Sequence, residues 1–211
     1  MYTPRAFAIE ELSQLHELIL ATRLAILVSH GESGLQASHV PVLLHCEQGE
    51  YGTLYGHLAR ANPQWKDLRD GAEAMLIFAG ADAYVSPGFY PSKAEHGKVV
   101  PTWNYVTVHA YGRPQIVEDT QGALDVLAKL AAAYEGADAS SWGLDRLPPG
   151  NAEAQTRGIV AFRMPLARLQ TKIKLSQNRE MADRQRVIAK LEESDSQDAR
   201  GTARWMKRVL P

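Results

Sequence analysis

The chain has 211 residues, 45% of them hydrophobic, with 23 basic and 24 acidic side chains and a formal charge of −1. This length suits one well-buried domain, and the composition excludes both wholesale disorder and a fibrous repeat. The single cysteine excludes a disulfide framework and a cysteine-built zinc site, and it predicts a reducing, cytoplasmic environment. The sequence has neither a signal-peptide pattern nor an apolar run of about 18 residues, so we expect no membrane span.

The charges are unevenly distributed along the chain. From Arg157 onward there are 13 basic and 6 acidic residues, against 10 basic and 18 acidic residues before it. The basic end could serve an anionic ligand, nucleic acid or a partner subunit, or it could form a solvated helix on an acidic body. The sequence leaves these four explanations open.

The first part of the chain predicts one helix followed by short strands. Apolar residues recur at helical spacing over Phe7–Leu20, and alternating or continuous apolar runs then predict strands. The second and third strands are expected to form a hairpin, and Pro41 predicts that the second lies at an edge or carries a bulge. The predicted strands are Leu24–Ser29, Gln36–Leu44, Tyr51–Leu58 and Ala74–Ala79.

Asn62, Pro63 and Gly71 are start and stop signals that predict a short helix after the third strand. A long loop follows at 86–101, and then a long strand at 102–117 with Val106, Val108 and Ala110 toward the core. The later predicted elements are a helix from Thr120 to Tyr134, a loop over 137–156, a strand at Ile159–Met164, a helix at Asn178–Leu191 and a short helix at Thr202–Leu210. This order predicts a mainly β (α+β) protein with an antiparallel barrel of about six strands and peripheral helices, not a doubly wound parallel sheet.

Three segments carry candidate binding residues. Arg60 before the predicted helix start at Asn62 suits a phosphate, although an N-capped helix with a surface arginine explains the same residues. Trp103 and Asn104 suit a planar heterocycle, or Trp103 packs against a neighbouring element. The segment Lys174 to Arg179 either binds phosphate or caps the following helix.

Other chemistries have little support in the sequence. His39, His45, His57 and His109 lack the dense spacing of a metal site, so we expect no metal. The glycine motifs of dinucleotide-binding, P-loop and esterase folds are absent, and no residue is assigned a catalytic role.

Five segments along the chain carry a family resemblance: MYTPRAF from Met1, GHLARANPQW from Gly56, AYVSPGFYPSK from Ala83, GKVVPTWNYVTVHAYG from Gly97 and KLSQNR from Lys174. Together they closely resemble the PaiB-like family of FMN-binding negative transcriptional regulators. The family is similar to the FMN-binding split-barrel superfamily, which includes flavin reductases and pyridoxamine oxidases. The resemblance implies a split-barrel domain at 1–165, a C-terminal helical extension at 166–211 packing on it, and a homodimer with flavin sites at its interface.

The resemblance also implies where FMN binds. The phosphate would lie at Arg60, Asn62 and Gln64, where split-barrel flavoproteins frequently have a Ser-x-Lys pattern that this chain lacks. The second strand would follow the ribityl chain and ring, and the partner subunit would contribute Trp103 and Asn104 together with Gln177 and Asn178. The residues predicted to contact FMN are Ser38, His39, Val40, His57, Ala59, Arg60, Asn62, Gln64, Thr102, Trp103, Asn104, Lys174, Gln177 and Asn178.

Two functions from different classes follow. The resemblance implies a transcriptional regulator or flavin-linked sensor, with DNA or a regulatory protein as its partner; no helix-turn-helix pattern is evident in the sequence. The alternative is an FMN-dependent oxidoreductase acting on a small molecule, because flavin itself carries the redox chemistry and the protein need only bind and orient it.

Overall fold

The computed structural model describes residues 1–9, 11–32, 34–135 and 142–210. The strands in these residues are β1 Leu24–Gly31, β2 Gly34–His45, β3 Thr53–Ala59, β4 Ala74–Val85, β5 Thr102–Gly112, β6 Gln115–Val117 and β7 Ile159–Lys174. The α-helices are α1 Leu12–Ala21, α2 Trp65–Arg69, α3 Ser92–His96, α4 Thr120–Glu135, α5 Asn151–Thr156, α6 Met181–Glu192 and α7 Gln197–Arg208. Short 3-10 helices lie at Arg5–Phe7, Pro87–Phe89 and Leu144–Arg146.

The strands form one sheet that closes on itself. Their order is β3-β2-β1-β4-β5-β7-β6, and β3 pairs in addition with β7. The β3–β7 ladder is antiparallel and joins Thr53–Ala59 to the first part of β7, with Gly56 opposite Phe162. The hairpin of β2 with β3 is confirmed by the pairing of Val42 with Gly56. The predicted antiparallel split barrel is therefore confirmed.

Two units share the chain. The first contains 1–15, 79–108 and 170–211, and the second contains 16–78 and 109–169. The first unit buries Val85, Val106, Ile173, Leu175, Val187 and Met206. The second unit buries Leu27, Leu54, Leu76, Phe78, Phe162 and Met164. Strand β7 continues past Pro165 to Lys174, and the predicted domain boundary after residue 165 stays a prediction.

Pro41 does not lie on an edge strand, because β2 has β1 on one side and β3 on the other. The β1 ladder ends at the Leu24–Pro41 pair, and the β3 ladder begins at Val42. Val42 donates its N–H to the Arg23 carbonyl at 3.1 Å, so in the alternating antiparallel pattern the nitrogen of Pro41 faces away from β1. The N–H that proline lacks would therefore lie outside both ladders, and the strand loses no ladder hydrogen bond. The prediction of an edge strand or a bulge is wrong for this reason.

Other predicted elements differ in length. The first helix begins at Leu12 and not at Phe7, β4 continues to Val85, and β7 continues to Lys174. The predicted loop at 86–101 contains α3, and the described part of the predicted loop at 137–156 contains α5. The long strand divides at Arg113 and Pro114, where proline removes a ladder donor and restricts the residue before it. None of the described helices combines the length and apolar character that crossing a membrane requires.

Candidate functional site

In the second unit, polar side chains from the segment between β3 and α2 meet Ser38 of β2. We call Ser38, Arg60, Asn62 and Gln64 the β3–α2 corner. The Asn62 amide donates to the Ser38 hydroxyl oxygen at 2.8 Å, and the Asn62 carbonyl oxygen accepts the Gln64 backbone N–H at 3.0 Å. Asn62 therefore caps the turn before α2, whereas the helix itself begins at Trp65 and not at the predicted position.

Arg60 holds the backbone where β7 begins. Its Nε donates to the Arg157 carbonyl at 2.9 Å, and its Nη2 donates to the Ile159 carbonyl at 2.7 Å. The Trp65 indole N–H in turn donates to the Arg60 carbonyl at 3.0 Å. Two of the three guanidinium nitrogens thus bond to backbone, and Nη1 is the nitrogen best placed to meet an anion.

Gln64 lies inside the protein, with an exposed fraction of 0%. Its amide nitrogen donates to the Leu27 carbonyl and the Ser29 hydroxyl, both at 3.1 Å, and to the Gln36 carbonyl at 3.3 Å. Its Oε1 is buried without a hydrogen-bond partner among the described residues. Gln64 supports the corner from within, and its contact with FMN stays a prediction.

The other predicted contacts of the second unit lie on β2 and β3. Val40 is buried, whereas His39 is exposed on the opposite side of β2, as strand alternation requires. Ala59 is exposed at the end of β3. His57 is half-buried, and burial lowers the pKa of its imidazole below the ordinary value of 6.5.

In the first unit, the start of β5 and the end of β7 hold the second set of predicted contacts. Lys174 donates from Nζ to the Thr102 hydroxyl and to the Trp103 carbonyl, the latter at 3.0 Å. Burial, and secondarily the charge of Lys172, lower the pKa of the Lys174 ammonium below its ordinary value. The Trp103 side chain is 53% exposed and meets Tyr84 edge-on with ring centroids 5.9 Å apart. Tyr84 was missed in the sequence because β4 extends further than its apolar run.

Asn104 is fully buried and fully bonded. Its Nδ2 donates to the Ser176 oxygen at 3.0 Å, and the Ser176 hydroxyl donates back to Oδ1 at 3.1 Å. Nδ2 also lies 3.4 Å from the Met206 sulfur. Ser176 has a φ of 63°, the left-handed conformation that non-glycine residues rarely adopt. Asn104 thus holds the end of β7, and its contact with FMN also stays a prediction.

Gln177 and Asn178 differ although they are adjacent. The Gln177 side chain accepts the Leu175 N–H at 2.7 Å and donates to the Ile173 carbonyl at 2.6 Å, so it caps the end of β7. Asn178 is exposed. Of the two, Asn178 has the side chain that a ligand can reach without breaking a bond within the chain.

The donors in both sets fit FMN. The Ser38 hydroxyl and Arg60 Nη1 suit a phosphate, and the exposed Trp103 ring with Lys174 beside it suits a planar heterocycle with polar edges. The described residues contain no group of three or more His, Cys, Asp or Glu placed to hold a metal ion.

The fold of the chain is similar to that of solved split-barrel proteins. The flavocytochrome Anf3 from Azotobacter vinelandii aligns with a TM-score of 0.61 and 16% identity, covering 82% of this chain and 72% of that one. The FAD and heme binding protein from Mycobacterium smegmatis aligns with a TM-score of 0.59 and 14% identity, covering 79% and 73%. At these identities the likeness establishes the fold.

The chain belongs to the FMN-binding family described as "Putative FMN-binding domain", whose sequence pattern matches residues 1–168. It is 29% identical over 210 residues to "Protease synthase and sporulation protein PAI 2" of Bacillus subtilis (strain 168), covering 100% of this chain and 98% of that protein. It is 30% identical over 227 residues to the protein AN0679 of Emericella nidulans, covering 91% and 90%. The predicted PaiB-like family and FMN as its cofactor are confirmed.

Proposed function

We propose that this protein is an FMN-binding homodimer that acts as a transcriptional regulator or flavin-linked sensor. The observation that carries the regulatory part is an exposed basic face on α7. Arg200, Arg204, Lys207 and Arg208 recur at helical spacing and are exposed, while Ala199, Ala203 and Met206 are buried on the other side. Cations placed in this way can follow a phosphate backbone.

The connection before α7 strengthens this interpretation. Helix α6 ends at Glu192 and α7 begins at Gln197, so four residues join the two helices. Two helices joined by so short a turn are common in DNA-binding modules. The sequence alone showed no such pattern because the second predicted helix began five residues too late.

Some of these cations already have partners within the chain. Lys207 pairs with Glu192, Arg200 donates to the Ser194 carbonyl at 2.7 Å, and the Arg208 guanidinium lies 4.6 Å from the centre of the Trp205 ring. Exposed pairs of this kind contribute about 0–1 kcal/mol each, so a polyanion can exchange with them. We therefore expect DNA binding of modest affinity that weakens steeply with salt.

For the flavin, we propose that Ser38, Arg60 and Asn62 bind the phosphate. Thr102, Trp103 and Lys174 of a second copy would cover the ring, as the family resemblance implies for an interface site. Bound FMN would supply redox chemistry, and the chain would bind and orient it. The exposed Trp103 and Tyr84 support the homodimer, because paired aromatic surface favours association.

The first test is the visible absorption spectrum of the freshly purified protein, followed by titration with FMN and riboflavin. Arg60→Ala should weaken the binding of FMN about 10–150-fold, because a charge-assisted hydrogen bond contributes about 1.5–3 kcal/mol. The same substitution should change the affinity for riboflavin little. Arg69→Ala is the matched control, since Arg69 lies on α2 over the Trp65 ring. Equal losses for both flavins would show that Arg60 does not bind the phosphate.

The second test separates the two function classes. A regulator should retard promoter DNA in a gel, and Arg200→Ala with Arg204→Ala should lower the salt slope by about 0.9 for each phosphate that the variant no longer neutralises. Sedimentation of the same sample reports whether it is a dimer. A protein that stays a monomer with FMN bound would refute the interface site.

An FMN-dependent oxidoreductase is the second candidate, and the state of His109 on β5 favours it. Burial lowers the pKa of its imidazole below the ordinary value of 6.5, which suits a neutral ring that exchanges a proton near the flavin. Oxidation of a nicotinamide by the FMN-loaded protein, without any DNA retardation, would move this candidate ahead.

A further inference from the structure

A cavity of about 420 Å³ lies in the second unit, beneath α4. Leu127, Leu130 and Ala131 line it from the helix, and Pro41 and Ile159 line it from the strands. This volume lies in the range of small-molecule sites, and the lining is predominantly apolar, as such sites usually are. The proposed regulator has no role for this cavity.

The polar groups of the cavity are few. Tyr134 lines it, but its hydroxyl donates to the Val42 carbonyl at 2.9 Å, so the ring supplies mainly apolar surface. Among the described lining residues the charged one is Glu135. An anionic ligand is therefore disfavoured, and a neutral one is preferred.

Gln155 also lines the cavity, and His57 is the described lining residue with a buried polar atom that lacks a hydrogen-bond partner. Its ring lines the cavity, and its Nδ1 is buried with no hydrogen-bond partner among the described residues. This leaves Nε2 as the ring nitrogen that a ligand can reach. Because burial keeps the imidazole neutral, Nε2 offers one hydrogen bond and no charge.

We propose that this cavity binds an uncharged, mainly apolar molecule of one or two aromatic rings whose single hydroxyl bonds to His57. The lining is distinct from the proposed phosphate contacts, since the described lining residues include none of Ser38, Arg60, Asn62 or Gln64. His57, predicted from the sequence as an FMN contact, is assigned here to this second ligand.

Titration calorimetry with three matched probes tests the proposal on the purified protein at neutral pH. 2-Naphthol should bind, naphthalene should bind about 2–12-fold more weakly because it lacks the hydroxyl, and the anion 2-naphthoate should bind more weakly still. Replacement of His57 by phenylalanine should abolish the difference between 2-naphthol and naphthalene while both still bind. If 2-naphthol does not bind, or if the difference persists in His57→Phe, the proposal is overturned.

A filling variant locates the probe. Ala131→Phe should weaken 2-naphthol at least tenfold, whereas Ala128→Phe, exposed on the same helix, should not. Thermal unfolding of both variants confirms that each is folded. Saturating FMN should leave the affinity for 2-naphthol unchanged. Competitive displacement by FMN would show that the cavity is part of the flavin site and would overturn the proposal of a separate ligand, while leaving FMN binding itself intact.

Discussion

Gln64 in the second unit and Asn104 in the first are both buried with an exposed fraction of 0%, yet their amides are bonded differently. Both atoms of the Asn104 amide bond to Ser176, whereas the Gln64 amide nitrogen meets three acceptors and its Oε1 meets no donor among the described residues. A buried polar group is expensive to leave without a partner. The Asn104 amide is therefore closed by one hydroxyl partner, whereas Gln64 retains an unused acceptor in the β3–α2 corner, whose other residues are proposed to bind phosphate.

The largest expected loss of stability follows from replacing Asn104. Asn104→Leu keeps the shape but leaves the Ser176 hydroxyl buried without its partner, so the free energy of unfolding should fall by about 2–4 kcal/mol. Chemical denaturation measures this. The double variant Asn104→Leu with Ser176→Ala should recover part of the loss, because no polar group is then left without a partner. If the double variant is no more stable than the single, the pair is not coupled.

A smaller loss of stability is expected from replacing Gln64. Gln64→Met removes both the bonded nitrogen and the unpartnered oxygen, and Ser29 keeps its bond to Asp67 at 2.9 Å. The free energy of unfolding should therefore fall by only about 1 kcal/mol. Denaturation under the same conditions as for Asn104→Leu provides the direct comparison. A loss as large as that of Asn104→Leu would contradict the difference in bonding between the Gln64 and Asn104 amides.

The backbone of Ser176 gives a third comparison. Alanine and glycine both remove the hydroxyl, but only glycine adopts a φ of 63° without steric cost. Ser176→Gly should therefore be about 1 kcal/mol more stable than Ser176→Ala. Equal stability of the two variants would indicate that the left-handed conformation is not retained in solution.

The smallest effect is a pH dependence in the second unit. Burial lowers the pKa of His57 in the folded state below its unfolded value of 6.5, so the unfolded chain binds the proton more readily. The free energy of unfolding should thus decrease as the pH falls through about 6.5 and below. His57→Gln should make this decrease shallower, as measured by denaturation between neutral pH and pH 5. Burial also lowers the pKa of His109, so the pH dependence of stability in His109→Gln provides the comparison.

Local patterns predicted much of the fold. Alternation placed Val106, Val108 and Ala110 on the buried side of β5, and apolar runs gave the first three strands to within about two residues. Family motifs gave the split barrel and FMN. Helix starts were less accurate, since the Asn62 side chain caps a turn that is not yet helical.

The sequence by itself determined the first three strands to within about two residues, which residues face the core along β5, and which polar residues follow β3. Only the tertiary structure decided which of those polar side chains remain available to a ligand. Gln64 bonds to a carbonyl 37 positions away, and Asn104 bonds to a hydroxyl 72 positions away. Burial of an amide depends on such distant partners, which no local periodicity encodes. For the same reason Pro41 could lie between two strands, because its missing donor falls where one ladder ends and the next begins.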